Sequence, residues 1–140
     1  MESGIFKYRH TVVEAELDEM NHVNNLQYLR WCIKAAVAHS TDVGWSPQRY
    51  HEWGFGFIVR EHKIKYRIPA QLGDEVVIHT WIDSLEKVSS IRRYQILRAS
   101  DGKKFAEAET TWVYVNLKSL ALTRIPMDIK ESFRAGIEDA

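Results

Sequence analysis

The sequence predicts an α+β domain, an antiparallel sheet of about five strands curling around one long central helix, and three observations carry that reading. Leu26 to about Ser40 contains no Gly or Pro, and the polar positions Gln27, Arg30, Lys34 and Thr41 fall on one narrow stripe of a largely apolar helix. A surface helix has the opposite proportions, so this one is expected to be covered on most sides. One β-patterned segment precedes the helix and four follow it, joined largely by short turns, the arrangement of an antiparallel sheet. With 140 residues the chain is long enough for one continuous core and too short for two, so residues 1–140 are read as one domain.

Each element has its own signal. Phe6 to Val13 alternates loosely and ends in two valines, as a first strand would. An acidic loop, Glu14 to Asn21, leads to the helix, whose start is marked by Asn24 and Asn25, side chains able to accept from unpaired first-turn amides. Gly44, after Asp42 and Val43, suits the left-handed conformation that closes a helix. Ser46 and Pro47 read as the cap and first position of a short helix that Gly54 stops. Trp45, Tyr50, Trp53, Phe55 and Phe57 make this segment aromatic, either a lid over the core or the wall of an acyl or aryl pocket.

Phe57 to Ile68 reads as a long strand, with Ile58, Ile64, Tyr66 and Ile68 on one face and Lys63, Lys65 and Arg67 on the other, until Pro69 ends it. Leu72-Gly73-Asp74 is a turn, and Val76 to Leu85 and Ser89 to Arg98 are further strands. Asp101-Gly102 turns the chain into the last strand, Phe105 to Asn116, whose Ala106, Ala108, Thr110, Trp112 and Tyr114 share a face small enough for a helix to approach. Pro126 precedes a short amphipathic helix with Ile129 and Phe133 one turn apart. The uncovered outer face and edges of such a sheet point to self-association, as a homodimer or homotetramer.

Lys plus Arg equals Asp plus Glu at 19 each, so no global charge draws the chain to nucleic acid. A single cysteine allows no internal disulfide, and no apolar run approaches the roughly 20 residues that span a bilayer. Met1-Glu2-Ser3-Gly4 carries no secretory signal, which makes a cytoplasmic protein without membrane partners the simplest expectation. Disorder is expected only at the two ends. The six histidines form no HExxH and pair with no CxxC, so no metal site is expected. Cys32 lies two turns inside the helix on its apolar side, as a core thiol.

The chemistry concentrates where the acidic loop meets the helix. First-turn amides point outward with the positive end of the helix dipole, so the spot beyond Asn24 and Asn25 suits a developing oxyanion, and Asp18 lies a few residues upstream. A carboxylate beside oxyanion donors is half of a hydrolase; the alternative is an acidic residue that only steadies the dipole. No G-x-S-x-G elbow is present. Arg60, Lys63, Lys65 and Arg67 with Arg92 and Arg93 form a basic group, either for phosphates and acidic partners or as charge protection of an exposed strand.

Asp18-Glu19-Met20-Asn21-His22-Val23-Asn24-Asn25-Leu26-Gln27-Tyr28 resembles the D-x-x-G-H-V-N-N-x-x-Y signature of hotdog-fold acyl-CoA thioesterases of the 4-hydroxybenzoyl-CoA thioesterase type. It is also similar to the N-Q-H-V-N-N-x-x-Y motif of plant acyl-ACP thioesterases. Tyr66-Arg67-Ile68-Pro69-Ala70-Gln71-Leu72-Gly73-Asp74 resembles the Y-x-R-P-A-x-x-G-D turn of the same superfamily, with Arg67 and Ile68 displaced relative to it. With the order of elements, the likeness covers nearly the whole chain.

The resemblance implies a hotdog fold and hydrolysis of an acyl-CoA or acyl-carrier-protein thioester, with coenzyme A entering as part of the substrate and no separate cofactor. It implies Asp18 as nucleophile or base, the Asn25 amide as oxyanion donor, and His22 close to the carbonyl. It also implies substrate-binding positions at Asn24 and Tyr28, while Lys63, Lys65 and Arg67 are candidates for the coenzyme A phosphates. Two departures stand out. Asn21 replaces the usual Gly, though Asn tolerates positive φ, and Met20 stands where plant enzymes have a catalytic Asn, which brings the chain nearer the Asp-dependent bacterial branch.

Overall fold

Alternating burial along three of the five strands gives the sheet an inner face, and the chain's longest helix packs on it. The computed structural model describes residues 4–138, so the outermost residues, including Met1–Ser3 where no secretory signal is expected, lie outside the described part. Strand β1 is Phe6–Thr11, followed by a single 3-10 turn at Glu14–Glu16, helix α1 at Asn25–Asp42 and helix α2 at Pro47–Trp53. Strands β2 (Phe55–Tyr66), β3 (Glu75–Leu85), β4 (Ser89–Arg98) and β5 (Lys104–Asn116) follow, then helix α3 at Met127–Glu138. All pairings are antiparallel in the order β1-β3-β4-β5-β2. This is the expected wrapped-helix architecture, the hotdog fold.

The order contains one crossover that turn signals did not reveal. β2 pairs with β5 at one edge, so the connection after Tyr66 must pass across the end of the sheet, beyond β5 and β4, to reach β3. Ala70, midway along it, is fully buried; its N–H donates to the Tyr28 hydroxyl at 2.9 Å and its carbonyl accepts from Val23 N–H at 3.4 Å. The crossover thereby clamps the start of α1.

Helix α1 buries Tyr28, Trp31, Cys32, Ala35, Ala36 and His39, a stripe at spacings of three and four. It shares one core cluster with Ile78, Tyr94, Ile96 and Ala106, and its backbone approaches the sheet at β3 and β1. The cover is narrower than the helix composition predicts, because Leu26 and Val37 on its far side remain 63% and 39% exposed. Burial of Cys32 holds its thiol protonated by raising the pKa, as befits a core residue. A second cluster joins Trp45, Ile82, Tyr114 and Ile125 to Ile129 and Phe133 of α3, so the last helix caps the far end of the sheet.

Strand β2 corrects the expected face assignment. The register jumps between Val59 and Glu61, leaving Arg60 without an opposite number, and this bulge reverses which residues face inward. Ile58 therefore turns outward at 38% exposure, while Ile64 packs on the core beyond the bulge.

Near the end of α1 the core contains a polar pair. Arg92 Nη1 donates to His39 Nδ1 at 2.9 Å, and both residues are buried. Burial, aided by the Arg92 charge, lowers the His39 pKa to about 3. Unfolded His39 takes up a proton below pH about 6.5, whereas folded His39 stays neutral until about 3, so in this window the unfolded state binds more protons and stability falls as pH falls. Between pH 7 and 5 the His39 share of the lost stability is expected to be about 2 kcal/mol. Urea denaturation at the two pH values checks it: His39→Gln should lose correspondingly less on acidification than the wild type.

Candidate active site

The segment between Glu16 and Asn25 is a closed loop held by its own hydrogen bonds. Leu17 and Val23 form an antiparallel bridge, Asp18 N–H donates to the His22 carbonyl at 2.7 Å, and Asn24 N–H donates to the Glu16 carbonyl at 2.9 Å. Inside it, Asp18 Oδ1 accepts from the amides of Met20 at 2.9 Å and His22 at 3.2 Å. Asn21 sits at φ 61°, the left-handed conformation anticipated from its place in the motif. Its backbone N–H donates to the Asp18 carbonyl at 3.0 Å, which completes the tight turn.

Asn24 is the cap of α1, with Oδ1 accepting from Leu26 N–H at 2.9 Å. Asn25 is the first helical residue, so its amide is among those that find no partner within the helix. Asp18, His22, Asn24 and Asn25 are all exposed. All four therefore belong to one exposed loop that leads into the start of α1. Asp18 Oδ2 accepts no hydrogen bond among the described residues, so both of its recorded bonds fall on Oδ1.

Beneath the loop, Glu16 is 8% exposed and ties three parts of the chain together. Its carboxylate accepts from His10 Nε2 at 2.7 Å, Val13 N–H at 3.0 Å and Trp31 Nε1 at 2.7 Å. Burial raises the Glu16 pKa, but the bonds from Val13, His10 and Trp31 together outweigh it and leave the carboxyl below its ordinary value. Sequence reasoning passed over Glu16 as one more charge in an acidic loop; its position two residues before Asp18 was the available signal.

Other predicted residues lie elsewhere. Tyr28 is in the core at 2% exposure, edge-on to Trp31 and to Tyr66, whose hydroxyl donates to the Asn25 carbonyl at 3.2 Å. Lys63 and Arg67 stand on the outer sheet face and already meet carboxylates, Glu61 and Glu109 for Lys63 at 3.4 and 3.9 Å, and Glu107 for Arg67 at 2.6 Å. Lys65 is exposed beside them. Arg92 is separated from this group: alternation on β4 turns it inward, while its neighbour Arg93 faces out to Asp83 and Glu109.

A cavity of about 330 Å³ opens near the other end of α1, lined by Ala36, Trp45, Phe57, Trp112 and Phe133 with Arg92 among them. The aromatic segment from Trp45 to Phe57 is thus both cover and pocket wall. Among the described residues no group of His, Cys, Asp and Glu is arranged to hold a metal ion.

Residues 12–133 match the profile of the thioesterase-like superfamily. The chain belongs to that family. Its thioesterase-like relatives include the long-chain acyl-CoA thioesterase FadM of Escherichia coli, 28% identical over 118 residues that cover 82% of this chain and 86% of FadM. Among solved structures, the 1,4-dihydroxy-2-naphthoyl-CoA thioesterase Slr0204 from Synechocystis superposes with a TM-score of 0.86 at 23% identity, covering 93% of this chain and 96% of that one. The DHNA-CoA thioesterase from Staphylococcus aureus gives 0.85 at 17% identity over 92% and 88% of the two chains, which again speaks for the fold.

The conformation at Asn21 has a measurable cost for other residues. Asn21→Gly is expected to leave stability within about 0.5 kcal/mol of wild type, whereas β-branched Asn21→Val should lose roughly 1–2 kcal/mol, read by urea denaturation.

Proposed function

We propose that the protein hydrolyses an acyl-CoA thioester to a free acid and coenzyme A, with Asp18 as nucleophile or general base and the Asn25 backbone amide as oxyanion donor. The observation that carries this reading is the union, on one self-bonded loop, of an exposed carboxylate with the amide end of an 18-residue helix. The named activity of FadM supports the substrate class.

A thiolate departs without being protonated, so a thioester needs only an attacking group and donors where negative charge grows on the carbonyl oxygen. In the direct route, an Asp18 oxygen bonds to the thioester carbon, the C–S bond breaks, and water then cleaves the mixed anhydride. In the other, Asp18 takes a proton from the water that adds to the carbon, and the C–S bond breaks as the carbonyl re-forms. In both, the helix dipole favours the charged intermediate over the neutral ester. His22 borders the reacting carbonyl, and Lys63, Lys65 and Arg67 are the cations available to the coenzyme A phosphates.

The assembly is a homodimer or a dimer of dimers. The free edge of β2, 12 residues long, and the exposed Leu26 and Val37 of α1 support it, since together they leave both backbone donors and apolar surface to cover. In this reading, the partner subunit supplies the wall that one chain leaves open above Asp18.

Thiol release from a panel of acyl-CoA substrates tests the chemistry. Asp18→Ala is expected to lower kcat by at least about a hundredfold with its far-ultraviolet circular dichroism unchanged. Wild-type turnover by this variant would overturn the assignment.

A further inference from the structure

Arg92 is a cation with too few partners for its surroundings. It is 5% exposed and projects from the inner face of β4. Its Nη1 donates to His39 Nδ1 at 2.9 Å and to Thr80 Oγ1 at 3.1 Å, and both acceptors are neutral. Thr80 spends its own proton on the Arg93 carbonyl at 3.0 Å. A guanidinium has five N–H donors, so these two bonds leave the Nε and Nη2 edge, the side that forks onto a carboxylate, unclaimed among the described residues. No carboxylate pairs with Arg92 among those residues.

Two general terms offset part of this burial. The last turn of α1 presents carbonyls that favour a cation, and the Phe133 ring lies 5.8 Å from the guanidinium carbon. Neither replaces an anion, and an uncompensated buried charge is strongly disfavoured. The same guanidinium lines the 330 Å³ cavity, whose other walls are mainly Ala36, Trp45, Phe57, Ile82, Trp112 and Phe133. The Ser90 and Ser40 side chains, the Tyr50 hydroxyl, 3.4 Å from Ser40 Oγ, and His51 supply the remaining polar wall.

We infer that this cavity binds an apolar chain or ring bearing a carboxylate, with the acid forked onto the free edge of Arg92 and the body against the aromatic walls. The inference goes beyond the Asp18 chemistry and does not require it. The carboxylate has two sources, a free organic acid or the far end of an acyl group that carries a second acid, and both present the same chemistry to Arg92.

Tryptophan fluorescence reads binding directly, because Trp45 and Trp112 line the cavity. The full chain is titrated with decanoate, decanol and decylamine. Wild type is expected to bind decanoate at least about tenfold more tightly than decanol and to reject decylamine. Arg92→Gln should erase the difference between acid and alcohol, and Arg92→Lys, which keeps the charge but lacks the fork, should retain a reduced preference for the acid. Equal affinity of wild type for acid and alcohol, absence of saturable binding, or an acid preference surviving in Arg92→Gln would each overturn the inference. If Arg92→Gln does not fold, the wild-type ligand series and Arg92→Lys still decide it.

Two further arms assign the source. Inhibition of thioester hydrolysis by free decanoate identifies the released acid as occupant, and faster turnover of an ω-carboxylated acyl-CoA than of its plain counterpart identifies the substrate's own far end. Since the fluorescence arm involves no thioester, failure of the Asp18 mechanism and failure of this inference are separate results.

Discussion

Tyr28, Trp31, Cys32, Ala35, Ala36 and His39 leave water together or not at all, because they occupy one stripe of a single rigid helix. Burying each large member is worth roughly 1.5–3 kcal/mol, and the small alanines of the stripe let the helix settle on the sheet, which its backbone approaches at β3 and β1. Without that contact the sheet would show its apolar face to solvent, and the loop before the helix would have nothing to hold it. The two buried aromatics at the start of the stripe also carry the polar ties: Trp31 donates to Glu16 and Tyr28 accepts from Ala70.

This coupling ties down the loop before α1. Glu16 anchors the strand side of the loop to the helix, and Asn24 returns the chain to the Glu16 carbonyl before capping α1. Asp18 is thereby carried on a support whose underside is core and whose upper side is solvent. The two ends of α1 are built in opposite ways. One offers open amides to water, and the other meets a buried neutral imidazole bonded to the guanidinium that lines the cavity.

Much of this was legible from residue patterns. The Asn24 cap and the turn glycines at 44, 54, 73 and 102 are local features that depend on a few neighbours, and the chain adopts them as read. The motif around Asp18 was equally local, which is why its turn, including the left-handed Asn21, followed from the letters alone. Features set by long-range partners were hidden. The position of β2 beside β5 depends on a crossover that no turn residue announces. Arg92 and Arg93 are neighbours in sequence, and the strand register sends one into the core and one to the outer face. Tyr28 belonged to a recognised motif, and the structure gives it a packing role whose partner, Ala70, is 42 residues away.

The bulge in β2 works as a phase shift along a single strand. Before it, odd-numbered Phe57 addresses the cavity; after it, even-numbered Tyr66 reaches the carbonyl of Asn25 at the helix tip. One continuous ribbon can therefore serve both ends of α1, because an unopposed residue lies between them. What the chain must keep at Arg60 is the bulge and not a chemistry: many side chains fit that exposed position, but pairing the same residues in unbroken register would bring the lysine row inward and turn His62, Ile64 and Tyr66 out.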